Sequence, residues 1–155
     1  MADAAPLRDT VTARMKEAMK SGDRVRVGAL RLIMAALKER EIEARGAGKI
    51  VSRADELALL MKMVKSRQES AAIYAGAGRA ELAAQETAEV AVISEFLPRQ
   101  MDEAEMTAAA RAAIVATGAS SVKDMGKVVN TLKQAHAGEM DFARASAIVR
   151  SLLAG

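Results

Sequence analysis

Apolar residues stand three and four positions apart along nearly the whole chain, and glycine-centred breaks cut that pattern into pieces of helical length. A helix turns about 100° per residue, so this spacing gathers apolar side chains onto one stripe, whereas a half-buried strand would need strict alternation. Leu7, Val11, Met15 and Met19 begin the pattern, with Arg8, Lys16 and Lys20 outside it. Ser21-Gly22-Asp23 ends that helix and offers Asp23 as the cap of a second one, Val25 to about Arg45. There Val27, Leu30, Ile33, Met34 and Leu37 share a face and Leu32 lies opposite, which predicts contact with more than one neighbour. Gly46 and Gly48 break this helix. Ser52 with Asp55 and Glu56 has the form of a capping box for a third. Its expected inward residues are Leu57, Leu60, Met61, Val64, Ala71 and Ala72, and its outer strip holds Lys62, Lys65, Ser66, Glu69 and Ile73. Gly76-Ala77-Gly78 reverses the chain into a fourth helix, about Ala80 to Phe96.

Proline pushes the residue before it out of helical conformation, so Leu97-Pro98 is the expected joint. After it, Asp102 and Glu105 form an acidic capping box, and Met106, Ala109, Ala113 and Ile114 give an inward face that ends at Thr117-Gly118. Another helix starts at Ser120 or Ser121 with Met125, Val128, Val129 and Leu132 apolar, and Asp141 caps a closing helix with Ala145, Ile148, Val149 and Leu152 inward. The expectation is an all-α chain: an N-terminal domain of about four helices over residues 1–97, and a three-helix domain over 98–155. Hydrophobic residues make up 51% of the sequence and aromatics only 2%, so the core has to be built from Leu, Ile, Val, Met and Ala.

Several kinds of chemistry are excluded. The chain has no cysteine, which removes disulfides, thiolate catalysis and cysteine zinc sites, and suits a reducing cytoplasm. His136 is the only histidine, and no phosphate loop, dinucleotide fingerprint or nucleophile elbow is present. No cofactor and no metal are expected. No apolar run approaches the roughly 20 residues of a membrane span. The opening stretch, with Asp3 and Asp9, lacks the basic-then-apolar pattern of a leader. A cytoplasmic chain without a membrane partner is the expectation.

Three places invite a functional reading. Glu86 and Glu89 fall on the same helical face as Leu82, Ile93 and Phe96, where carboxylates need partners. Arg67 or Arg31 would supply them as a salt bridge, and metal ligation or an acid/base pair are the alternatives. The exposed Ile73, with Lys62, Lys65 and Glu69, is a candidate protein-binding strip. Ser120 to Asp141 holds the third place. Gly126 sits inside a helix there, where glycine costs about 1 kcal/mol relative to alanine, so something is expected to approach its backbone: a neighbouring helix or an outside partner. Lys123 and Lys127 are four apart and Lys133 follows; with Arg144 and Arg150 they form either a phosphate-holding surface or a solvated face. The net charge of +3 permits nucleic-acid contact without demanding it. His136, alone in its loop, is expected to be solvated.

The order of these residues resembles the GatB/YqeY family nearly end to end. The resemblance rests on Arg24 to Leu37 (RVRVGALRLIMAAL), Lys38-Glu39-Arg40-Glu41-Ile42, and Lys62, Lys65, Arg67, Glu69 and Ser70. It continues through Tyr74, Gly78-Arg79, Leu82, Glu86, Glu89 and Leu97-Pro98, and then through Gly118-Ala119-Ser120-Ser121, Lys123 to Val128, Gly138 and Asp141. It implies a two-domain helical protein whose last domain is similar to the tail of the B subunit of glutamine-dependent aminoacyl-tRNA amidotransferases. In that enzyme the tail contacts tRNA, and the chemistry sits in a separate, larger domain. A label of carbon-nitrogen ligase with glutamine as amide donor would reach this chain through the tail alone. The implied role is non-catalytic association with tRNA, or with an aminoacyl-tRNA amidotransferase or synthetase, through Lys123, Gly126, Lys127, Lys133 and Arg144. A protein adaptor acting through the third-helix strip is the alternative.

Overall fold

A computed structural model describes residues 6–155. Residues 1–5 of the opening stretch from which the absence of a leader is expected, Asp3 among them, lie outside the described residues. Seven α-helices and no strand occur among the described residues: α1 Leu7–Ser21, α2 Arg24–Gly46, α3 Arg53–Gly76, α4 Ala80–Ser94, α5 Glu103–Thr117, α6 Met125–Ala135 and α7 Phe142–Ala154, with a 3-10 turn, Val122–Asp124, leading into α6. The chain is all-α. None of these helices is long and apolar enough to cross a membrane. The Cα positions cluster into two compact units, one ending at Leu97 and one running from Pro98 to Gly155.

In the first unit α1 lies along α2, and α3 folds back on α4 as a helical hairpin. Leu7, Val11 and Ala18 of α1 meet Leu30, Ile33 and Leu37 of α2, Leu60 of α3 and Ile93 of α4 in one buried cluster. The expected stripe of α1 drifts off this core. Steps of four residues turn about 40° beyond a full circle, so by the fourth member, Met19, the side chain has swung out to 56% exposure and Ala18 is buried in its place. Leu32, on the far side of α2, is 44% exposed. Ala72 of α3 is exposed rather than inward, and between Met61 and Val92 no side chain of the α3–α4 hairpin is fully buried. α4 ends at Ser94, two residues short of Phe96, which caps the core from the following turn.

The helix ends follow the expected chemistry. Asp23 accepts from the Arg26 N–H at 3.0 Å. Ser52 accepts from the Asp55 N–H at 3.1 Å while Asp55 accepts from the Ser52 N–H at 3.0 Å, a reciprocal box that satisfies two donors without intrahelical partners. The α3–α4 reversal turns on Gly78 at φ 73°, a left-handed conformation that only glycine adopts without strain.

The second unit is a three-helix module in which α5, α6 and α7 each touch the other two. Its core is Met106, Ala110 and Ala113 of α5, Val128 and Leu132 of α6, Met140 of the α6–α7 loop, and Ala145 and Val149 of α7. Alanine at facing positions lets the helices approach closely, which suits a chain so poor in aromatics. Asp102 and Glu105 close the capping box of α5, each carboxylate accepting the other's N–H at 2.8 Å. The Met101 N–H donates to the Glu139 carbonyl and the Gln100 amide donates to the Gly138 carbonyl, at 2.8 and 2.7 Å. These two bonds tie the α6–α7 loop to the residues that precede α5.

Candidate functional site

α6 does not begin at Ser120 or Ser121. Asp124 turns its carboxylate back onto the Ser120 and Ser121 N–H groups at 3.0 and 3.3 Å, and the chain between them closes as a 3-10 turn before the α-helix starts at Met125. Those two N–H donors, Ser120 first, hold the Asp124 carboxyl below the usual carboxylate range, with the charge of Lys127 adding to the effect. Lys127 places its Nζ 3.8 Å from Asp124. Lys123 is exposed on the 3-10 turn. It therefore leads into α6 from a tighter spiral of about three residues per turn instead of lying one α-turn below Lys127.

Val128 and Leu132 hold α6 to the core, and this fixes what faces outward. At about 100° per residue, Gly126, Asn130 and Lys133 line the opposite side, with Lys127 beside them, and all four are exposed. Gly126 belongs to the first turn of α6 and not to its interior. A Cβ built there would meet nothing within 4 Å, so no neighbouring helix of this protein requires a glycine at that position. The outward face of α6 is thus a shallow backbone opening with Lys127 and Lys133 on the same helix and Lys123 ahead of it.

The family model for Yqey-like proteins matches residues 8–153, nearly the whole chain. This chain belongs to the Yqey-like protein family. No curated protein matches it. Membership in the Yqey-like family covers both units, so the α6 face and the α3–α4 hairpin both lie within the matched residues.

The other residues expected at a site are distributed as follows in this Yqey-like chain. Arg144 does not join the α6 lysines through a shared partner: it lies on α7 and points its guanidinium toward Glu103 of α5 at 3.8 Å. Lys62, Lys65, Glu69 and Ile73 are all exposed on α3, Ile73 at 70%. Lys62 also borders a cleft of about 430 Å³ between α2 and α3, together with Glu39, Glu43 and Asp55. Glu89 is held by Arg67, Nε to Oε2 at 2.8 Å, with both side chains largely out of solvent. Arg67 is thus the partner of Glu89, not of both carboxylates; Arg31 is exposed on the outer side of α2. His136 is only partly solvated. Its Nδ1 lies 2.7 Å from a Glu139 carboxylate oxygen and its side chain is only 28% exposed, so it closes the α6–α7 loop. Among the described residues no three His, Cys, Asp or Glu side chains are gathered to hold a metal ion. Reading α2 by its apolar residues alone passes over Arg24, Arg31 and Lys38, whose recurrence every seven positions places all three on one exposed face.

Proposed function

We propose that this Yqey-like chain is a non-catalytic RNA-binding protein that associates with tRNA, or with the amidotransferase that acts on it, in the cytoplasm. The observation that carries this reading is Gly126: an open backbone position that no packing inside the protein accounts for, on a face that also bears Lys127 and Lys133. A glycine there admits a sugar-phosphate backbone to close approach, and Lys123, Lys127 and Lys133 meet phosphates, which positions an RNA without reading its sequence. The resemblance of Gly118 to Asp141 to the amidotransferase tail supports tRNA as the RNA. Lys127 would exchange its loose contact with Asp124 for a phosphate, and Arg144, directed at Glu103, would contribute least.

Filter binding of purified protein to total tRNA at rising salt tests the reading. Each phosphate contact contributes a slope of roughly 0.7–0.9 in log affinity against log salt, so reversing Lys123, Lys127 and Lys133 to Glu is expected to flatten the dependence by about two units and to weaken binding at low salt. Unchanged binding by the reversed protein would remove RNA from this face. The exposure of Ile73 on a hairpin arm without fully buried side chains favours a second reading, a protein adaptor acting through Lys62, Lys65, Glu69 and Ile73. That reading requires a protein contact abolished by Ile73→Glu and indifferent to nuclease.

A further inference from the structure

The outer face of α2 carries a pattern that neither the core nor the α6 surface uses. Arg24, Arg31 and Lys38 recur at intervals of seven residues, and Gly28, Ala35 and Ile42 fall between and after them on the same line. Leu30, Ile33 and Leu37 point into the core, so this line faces away from it; its members are all exposed. None of the three cations pairs with an acid among the described residues, although Arg8, Arg26 and Arg67 of the same unit all do. Glu39 lines the cleft with α3, and Asp23 is occupied in capping the Arg26 N–H. At the N-terminal end of the line a cleft of about 540 Å³ opens between the end of α1 and the start of α2, bordered by Met19, Val27, Gly28, Arg24 and Arg31. Aliphatic side chains accompany the charges: Val25 is 64% exposed, Leu32 44% and Ile42 59%.

We propose that this face docks an acidic amphipathic helix of a protein partner, which seats an aliphatic side chain in the cleft beside Gly28 and presents carboxylates, one every second turn, to Arg24, Arg31 and Lys38. Seven residues of helix rise about 10.5 Å, so a helix laid along α2 with acids seven apart repeats its charges in step with these three. Gly28 and Ala35 leave room between the cations for the partner backbone; a Cβ on Gly28 would touch nothing in this protein. The exposed aliphatic flank of Val25, Leu32 and Ile42, which phosphates would not use, argues for a protein partner over a nucleic acid. A second copy of this chain does not fit, because none of its helices carries acidic residues seven apart. The claim concerns a different unit from the α6 face, so either can fail alone.

The test uses the full chain and two synthetic 21-residue helical peptides with fluorescent labels, one bearing glutamate at every seventh position beside a leucine stripe, the other bearing lysine at those positions. In anisotropy titrations the glutamate peptide is expected to bind and the lysine peptide not. Combined Arg24→Glu, Arg31→Glu and Lys38→Glu substitution is expected to weaken the glutamate peptide at least about tenfold, an effect reduced at high salt. Gly28→Trp, which fills the cleft without changing charge, is expected to weaken it at any salt, and both variants are expected to keep wild-type helicity and tRNA binding. The proposal is overturned if the glutamate peptide fails to bind or binds the reversed protein equally. It is also overturned if the reversal abolishes tRNA binding instead, or dissolves a dimer of the chain.

Discussion

Gly126 and Asp124 stand two residues apart and pull in different directions. Gly126 in the first turn of α6 costs helix stability, and the space around its Cα is open. Gly126→Ala is therefore expected to raise stability by about 0.5–1 kcal/mol while weakening tRNA binding; chemical denaturation and filter binding on one preparation check both signs. A substitution that stabilises without affecting binding would mean the glycine serves nothing on this face. Asp124 contributes in a way that depends on pH. Its folded carboxyl is held below the ordinary Asp value of about 3.9 by the Ser120 and Ser121 N–H groups, so its contribution is present above that value and is lost as pH falls through the lower folded one. Asp124→Asn should accordingly reduce the loss of stability on acidification below about pH 4, read by denaturation at a series of pH values. The sequence shows that Ser120 to Asp124 begins a helix. It does not show that the Asp124 side chain would bend the start into a 3-10 turn and carry Lys123 off the α6 register, because that choice rests on which backbone donors one carboxylate reaches.

At the scale of the helix, caps and stripes were legible to different degrees. Asp23, Ser52, Asp102 and Asp141 all cap the helices that follow them, since a cap is a local bond within three residues. Ser52→Ala is expected to cost about 1 kcal/mol, measured by urea denaturation, with Asp55 losing part of the bonding that keeps its carboxyl low. Stripes read less well where a helix outruns its support. Ala72 and Leu82 belong to the apolar pattern of α3 and α4, yet both are exposed, because the hairpin extends past the last residues of the core, Leu60 and Ile93. Periodicity reports which side of a helix is apolar; it does not report how far along the helix a neighbour reaches. The Arg67–Glu89 pair near the middle of that hairpin is the element-scale charge that matters. Arg67→Ala leaves a half-buried carboxylate without its 2.8 Å partner, and a loss of about 1–3 kcal/mol is expected. The double variant with Glu89→Ala should recover part of it.

Across the whole molecule, two buried clusters draw on separate stretches of chain, one on α1 to α4 and the other on α5 to α7. Leu30 belongs to the first and Leu132 to the second, each essentially without solvent exposure. Leu132→Ala, at about 2–5 kcal/mol, is expected to speed amide exchange throughout residues 98–155 and to leave the α1–α4 amides at wild-type rates. That the chain is all-helical could be read from spacing alone. The proposed RNA surface was legible only as a list of cations. Within the second unit, position in three dimensions separates Lys127 and Lys133 on α6 from Arg144, which turns to Glu103. The proposed RNA surface is the outward face of α6. An NMR titration of the labelled protein with tRNA addresses it directly: the Gly126, Lys127, Asn130 and Lys133 amides should shift or broaden first, with the Ile73 and Arg31 amides unmoved. Perturbation confined to α3 or α2, or none at tRNA concentrations well above that of the protein, would contradict it.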